Sequence, residues 1–373
     1  METILAGARL MTPEGLKKGS LAMEDGLIKG LGNGQCPPGA EDLGGDWLLP
    51  GLVELHTDNL EKHLMPRPKI LWPEPGAAME AHDAQLVSAG VTTVFDSLCV
   101  GESVDEGRRC LLALSVEALE RTKKRLRADH RVHLRCEISD PEMAAILAGV
   151  AELTEVGLVS LMDHTPGERQ WRDLEAYRTY WRSTVSDEEL AASAAAIKAR
   201  RDESAAGNSA AVVGYCRARR LPLASHDDAL AEHVEMAQAM GAIISEFPAT
   251  LEAARAAAQA GLAVTMGAPN LVRGRSHSGN VSAAEVAKEG LLNCLSSDYV
   301  PSSLLSGAYM LHRDCGWTLR EAFRTVTETP ARLAGLSDRG RLAPGLRADL
   351  VRAAVVDGRP VIKSVWVEGQ RVF

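Results

Sequence analysis

Apolar residues along this chain follow two different rhythms. In the first fifty residues they come in short runs, ILAGARLMTP and GSLAMEDGLIKGLG, broken by Glu-Asp-Gly and Gly-Asn-Gly. Such runs predict short strands joined by tight turns. The last thirty-odd residues, GRLAPGLRADLVRAAVVDGRPVIKSVWVEGQRVF, read the same way. Neither end is large enough to bury a core alone, so the two are expected to pair into one small β-sandwich domain, residues 1–49 with 340–373. Between them the pattern alternates. Strand-like runs at 50–56, 91–98, 131–138, 157–163, 221–226, 242–246, 262–267 and 293–298 are separated by Ala-rich amphipathic stretches such as 187–204, 228–240, 250–260 and 318–335. About eight strands alternating with helices over residues 50–339 predict an α/β fold, a (β/α)₈ TIM barrel. A doubly wound sheet is the alternative, but no GxGxxG follows the first strand.

Composition narrows the setting. A chain of 373 residues, 46% hydrophobic and 24% charged, suits a large α/β domain with a smaller companion. No apolar run approaches the ~20 residues of a membrane span. The start, METILAGARL, lacks a basic n-region and a signal-peptide core. The seven cysteines (36, 99, 110, 136, 216, 294 and 315) form no Cys-x-x-Cys and suit reduced thiols. The expectation is a cytoplasmic protein with no membrane partner. A net charge of −9 argues against a nucleic-acid partner. A small polyanionic substrate would need a local basic pocket set against that field. Oligomeric state stays open, a homo-oligomer included.

In a TIM barrel the functional side chains sit at the C-terminal ends of the strands. Those ends carry His56 and Asp58 in LVELHTD, Glu137 in RCEIS, His164 in LMDHTPG, His226 in PLASHDD and Asp298 in CLSSDYVPS. Imidazole and carboxylate are the side chains that divalent metals take. Single members have plainer readings: His226 and Asp298 could cap the helices that follow, and His164 could be a loop residue. As a set they predict a binuclear metal centre. Glu137 would bridge, His56 and Asp58 would hold one metal, and His164 and His226 the other. Two metals ~3.5–4 Å apart lower the pKa of a shared water. Asp298 would be both ligand and catalytic acceptor of the water's proton. Zinc is the first choice of metal, with manganese, iron or nickel as alternatives.

With these residues in place the chain resembles the amidohydrolase superfamily over nearly its whole length. The order of the ligands and the split β domain carry the resemblance. Two positions depart from it: Asp58 stands where a second histidine is usual, and Glu137 stands where a carboxylated lysine is usual. The segments PGLVELHTDNLEKH, GVTTVFDSL, MDHTPG and GAPNLVRGRSHSGNVSA resemble one branch, which serves phosphonate catabolism in the carbon–phosphorus lyase pathway. That resemblance implies a diphosphatase acting on α-D-ribose 1-methylphosphonate 5-triphosphate, yielding the 5-phosphate and pyrophosphate. A triphosphate fits the expected basic pocket. Arg273, Arg275, Ser276, His277, Ser278 and Asn280 offer a Gly/Ser/Arg-rich loop suited to phosphate oxygens, and Lys62, His63 and Arg67 follow the first metal motif. Arg169 and Arg172 are weaker candidates. The rival readings are a cyclic amide or ureide hydrolase, dihydroorotase-like, and a barrel scaffold without catalysis.

Overall fold

The structure is a computed structural model and describes residues 2–33, 35–102, 108–171, 177–178, 186–276 and 278–373. Both ends of the chain build one sheet. The first end supplies β1 (Thr3–Thr12), β2 (Gly15–Glu24), β3 (Leu27–Gly32), β4 (Glu41–Asp42) and β5 (Trp47–Pro50). The second supplies β14 (Leu350–Val356), β15 (Arg359–Val367) and β16 (Gln370–Arg371). They pair in the order β16-β15-β14-β5-β1-β2-β3, with β4 beside β1, so β5 and β14 join the two ends. The sheet curls back on itself: Ile28 N–H donates to Leu346 O at 2.8 Å and Ala348 N–H to Gly26 O at 2.8 Å. Successive side chains of a strand face opposite ways. Leu48, Leu350 and Trp366 therefore enter the sheet's own core, while Trp47, Leu49, Val351 and Val365 pack into the larger core. Trp47 meets the ring of Phe323 edge-on at 5.7 Å.

The middle of the chain forms β6 (Leu52–Thr57), β7 (Val91–Val100), β8 (Asp129–Glu137), β9 (Val156–Met162), β10 (Leu223–His226), β11 (Ile244–Glu246), β12 (Ala263–Gly267) and β13 (Leu292–Ser296). These eight strands are parallel neighbours in chain order, forming a near-closed barrel with helices outside. Val53, Leu55, Phe95, Leu158, Ala224, Ile244 and Cys294 fill its interior, and Ala331 and Leu333 plug one end. Each predicted barrel strand is found within two residues of its expected bounds, the first included. That run breaks at Gly51, and Pro50 belongs to the terminal sheet. A Cβ at Gly51 would lie 2.1 Å from Thr92 Oγ1, so glycine is what lets the chain pass from one sheet to the other.

Closure joins β13 to β6. Asp58 N–H donates to Asp298 O at 3.0 Å and Asp298 N–H to His56 O at 3.1 Å. Glu54, fully buried, accepts from His56 N–H at 2.8 Å and from Ser297 N–H at 2.6 Å. Lower on the seam, Leu295 N–H donates to Thr325 O and Val53 N–H to Val326 O. This explains a difference from expectation. The helix read over 318–335 is two short helices, Leu319–Arg324 and Glu328–Leu333, because residues 325–326 lend their carbonyls to the barrel. The helix read over 187–204 instead runs on to Arg219. It starts at a capping box between Ser186 and Glu189 and ends at Arg220 in the left-handed region. Its Asn208 donates to Ile138 O and Asp140 O, and Arg201 pairs with Asp163, so this helix braces the loops after β8 and β9.

Glu54→Ala leaves two buried backbone N–H groups on the seam without acceptors. It is expected to cost about 2–4 kcal/mol and to lower the urea midpoint. A midpoint equal to wild type would show that the seam does not depend on this carboxyl.

Candidate functional site

A cavity of about 560 Å³ opens where the barrel strands end. His56, Asp58, Glu137, His164, His226 and Asp298 all line it, as do Lys62, Ser276, Ser278 and Asn280. His63, Arg67, Arg273 and Arg275 are not among its lining residues, and His277 lies outside the described residues. Simple alternation along a strand is not what brings His56 and Asp58 together. The pairing of β6 with β7 shifts register between Glu54 and Thr57, and Asp58 is the N-cap of the helix Asn59–Leu64. Their facing atoms, His56 Nε2 and Asp58 Oδ1, are 3.8 Å apart.

Carboxylates behind the imidazoles set the direction of all three. Glu246 lies 3.3 Å from His56 Nδ1 through Oε1 and 3.4 Å from His226 Nδ1 through Oε2. Glu137 Oε2 lies 2.9 Å from His164 Nδ1. With each Nδ1 held by a carboxylate, each Nε2 is left for the cavity, the arrangement that prepares histidine for a metal. The His56 and His226 rings lie nearly parallel at 5.4 Å, and Phe247 stands edge-on to both. Asp227, Phe247 and Asp298, just beyond their strands, have φ of 55°, 52° and 52°. Left-handed backbone is costly for a residue with a Cβ, least so for Asp, and all three of these residues line the cavity. Glu137 itself also accepts from Ser139 Oγ at 2.5 Å and from His164 N–H. It stands behind His164 rather than between the two pairs of ligands.

Among the described residues four groups of three possible ligand atoms lie within 4.8 Å of one another. In two of them every member lines the cavity: His56, Asp58 and Asp298, and His164, His226 and Asp227. The second fits a cation well. Asp227 Oδ2 is buried without a hydrogen-bond partner, 3.3 Å from His226 Nε2 and 3.8 Å from His164 Nε2. Burial pushes the Asp227 carboxyl up to about 7. Burial also holds His56 down at about 3 and His226 well below its usual value, so both imidazoles are neutral and able to bind metal. Asp298 is raised by burial and by the nearby Asp58 carboxylate. Between the two groups reaches Arg135, two residues before Glu137 on β8. Its Nη1 donates to Asp58 Oδ1 at 2.8 Å, and its Nη2 lies 3.4 Å from His226 Nε2.

Farther out the cavity is cationic in places. Lys62 reaches Tyr299 O and lies over the Tyr299 ring, and Arg108 pairs with Glu61. Arg273, exposed, touches Tyr299 Oη at 3.5 Å from outside. Ser276, Ser278 and Asn280 hydrogen-bond to one another, while Arg275 and Arg67 are exposed. His63 belongs to a different network, through Gln85 and Asn59 to buried His82. His82 and His130 both bond Asp96 at 2.7 Å on the outer face of the barrel. Arg169 binds Asp228 and His226 O and so supports the loop after β10; Arg172 lies outside the described residues. Sequence reasoning missed Arg135, Asp227, Glu246, Phe247 and Arg108. A signal existed for two of them: Asp227 adjoins His226, and Arg135 shares a strand face with Glu137.

Comparison with known proteins agrees with this geometry. The amidohydrolase family model matches residues 47–372. Over 386 residues the chain is 44% identical to the alpha-D-ribose 1-methylphosphonate 5-triphosphate diphosphatase of Escherichia coli (strain K12), covering 99% of this chain and 100% of that one. An allantoinase of Streptomyces avermitilis is 34% identical over 100 residues, 26% of this chain and 20% of its own. In fold the chain is similar to N-acetylglucosamine-6-phosphate deacetylase from Pasteurella multocida, with a TM-score of 0.67, 11% identity, and 100% and 99% of the two chains covered. Dihydropyrimidinase from Brevibacillus agri gives a TM-score of 0.59 at 12% identity, with 100% and 95% covered. A barrel with metal-ready histidines at its strand ends, a sheet shared by both termini and a family match from residue 47 to 372 make this chain a member of the amidohydrolase family.

Proposed function

We propose that this chain hydrolyses α-D-ribose 1-methylphosphonate 5-triphosphate to the 5-phosphate and pyrophosphate, in phosphonate catabolism by the carbon–phosphorus lyase pathway. The observation that carries the reading is the end-to-end 44% identity with a diphosphatase of that specificity. The cavity supports it: Lys62, Arg108 and Arg135 bring cations into a strongly acidic chain, and Ser276, Ser278 and Asn280 add donors. A cyclic-ureide hydrolase has in its favour an allantoinase match over 26% of the chain. We also propose residues 1–49 with 340–373 and residues 50–339 as its two domains, and the cytoplasm as its place. Among the described residues no helix is long and apolar enough to cross a membrane.

The enzyme depends on a divalent metal, for which we propose zinc, with manganese, iron or nickel as alternatives, since the donors are imidazole and carboxylate. The residues that would hold it are His164, His226 and Asp227, with His56, Asp58 and Asp298 as the second group. When bound, a divalent ion acidifies water and screens phosphate oxygens. The protein's own residues do the rest. Lys62 and Arg108 hold the outer phosphates, and Arg135 faces the oxygens of the α-phosphoryl group. Asp298 accepts the proton as the water oxygen bonds the α-phosphorus. The α–β anhydride bond breaks, and pyrophosphate leaves with its electron pair. Glu246 and Phe247 keep the His56 and His226 rings in place meanwhile.

The direct test is release of pyrophosphate from the ribose 5-triphosphate by metal-replete protein, set against ring opening of a cyclic ureide. Ring opening without pyrophosphate would replace the proposal with the rival. Asp298→Asn is expected to lower kcat by about 10²–10⁴-fold while metal content stays near wild type. A wild-type rate would remove Asp298 from the proton transfer.

A pH dependence follows from the buried acids. An unfolded chain ionises Asp and Glu near pH ~4. The folded, metal-free chain keeps Glu54 and Asp227 protonated up to about 7 and raises Asp298 as well. At these three acids the folded state binds more protons in this interval, so their contribution to metal-free stability falls as pH rises from about 4 to 8. The buried neutral imidazoles of His56, His133 and His226 act in the opposite sense below the ordinary histidine pKa. A metal takes the ionised carboxylates, so its affinity rises over the same range. The difference in melting temperature between loaded and chelator-stripped protein is expected to widen with pH. A constant difference would show that these carboxyls take no part.

A further inference from the structure

We propose that Arg135 is a resident cation that limits the centre to one divalent ion, held by His164, His226 and Asp227. The proposal rests on the metal-dependent reading and changes what that reading contains. Arg135 enters the barrel from β8 on the same face as His133 and Glu137, and its side chain is 8% exposed. Nη1 already holds Asp58 Oδ1 at 2.8 Å, the atom that the group His56, Asp58 and Asp298 would offer a metal. A second ion at that group would stand beside a guanidinium, and arginine cannot shed its charge to admit it. The positive charge that the two carboxylates Asp58 and Asp298 require is thus supplied by the chain itself.

The other group meets Arg135 less closely: Nη2 lies 3.4 Å from His226 Nε2, against 2.8 Å for Nη1 on Asp58, and the carboxylate of this group is not held by the guanidinium. Asp227 Oδ2 is buried without a partner and faces two imidazole nitrogens, His226 Nε2 at 3.3 Å and His164 Nε2 at 3.8 Å. An orphaned acceptor beside two imidazole nitrogens is a place for a cation. Arg135 Nε is also buried without an acceptor, so the protein leaves part of the guanidinium's donor capacity unused. A phosphate oxygen entering between the groups would satisfy it. In this arrangement Arg135 does the charge work of a second metal and selects for a substrate with an anionic reacting group.

Metal-free protein titrated with Mn²⁺, desalted and measured by plasma mass spectrometry tests this without any turnover. Wild type is expected to saturate at about one ion per chain, with the electron paramagnetic resonance spectrum of isolated Mn²⁺. Arg135→Met is expected to take up about two ions with a spin-coupled spectrum, and Arg135→Lys to remain at about one. Two ions in wild type, or a single ion in folded Arg135→Met, would overturn the proposal. Should Arg135→Met not fold, two other variants decide. Asp227→Asn should lose the ion and Asp58→Asn keep it, and the reverse ranking would overturn the placement. Protein that takes up no ion in any form would sink the metal-dependent reading itself, a separate failure.

Discussion

The seam between β6 and β13 is the constraint on which the site depends. Thr57 and Asp298 are separated by 241 residues, yet Thr57 Oγ1 donates to Asp298 O at 2.8 Å. The same few hydrogen bonds that close the barrel carry His56 and Asp58 to Asp298. Closing so long a loop is entropically costly, but the cost grows slowly with length, and eight parallel strands share it. Glu54 is the clearest sign of the strain this places on chemistry. It is a fully buried acid because two backbone donors of the seam need an acceptor there. Barrel closure and assembly of one ligand group are therefore a single event.

Around that seam the fold handles buried charge by sharing it. One carboxylate, Glu246, orients both His56 and His226, and Glu137 orients His164. Asp58 has Arg135, and Asp228 has Arg169 together with the hydroxyls of Ser225 and Ser245. Among the charged side chains of the described residues two buried atoms have no hydrogen-bond partner, Asp227 Oδ2 and Arg135 Nε, and both belong to residues that line the cavity. Unsatisfied polar atoms are tolerated in native proteins chiefly where a ligand completes them. Their position, between metal-ready imidazoles and the cationic approach from Lys62 and Arg108, suits an anionic substrate meeting a metal.

Much of this was legible in the sequence, for reasons that differ by element. The barrel strands were readable because each is a short apolar run ended by turn residues, and the ligands because polar groups at such ends are conspicuous against the run. The helix over 318–335 was misjudged because its break at Thr325 and Val326 serves strands far away in the chain. Arg135 and Glu246 were passed over for a related reason. Arg135 lies inside a strand, where a charged residue reads as an irregularity until its partner is known. Glu246, though it ends β11, shows its role only through the two histidines it orients. The expected phosphate loop was only partly placed at the cavity. Ser276, Ser278 and Asn280 line it, while Arg273 stands outside and Arg275 is exposed.

The sequence by itself determined the alternation of strand and helix, the pairing of the two termini and the chemical identity of six cavity side chains, because these depend on local period and residue type. Tertiary structure alone decided which nitrogen of each histidine faces the cavity and that Glu137 lies behind His164. It also brought Asp227 into a ligand group and put a guanidinium between the two groups. Those outcomes depend on contacts among strands tens to hundreds of residues apart, and no local pattern encodes the distance between such residues.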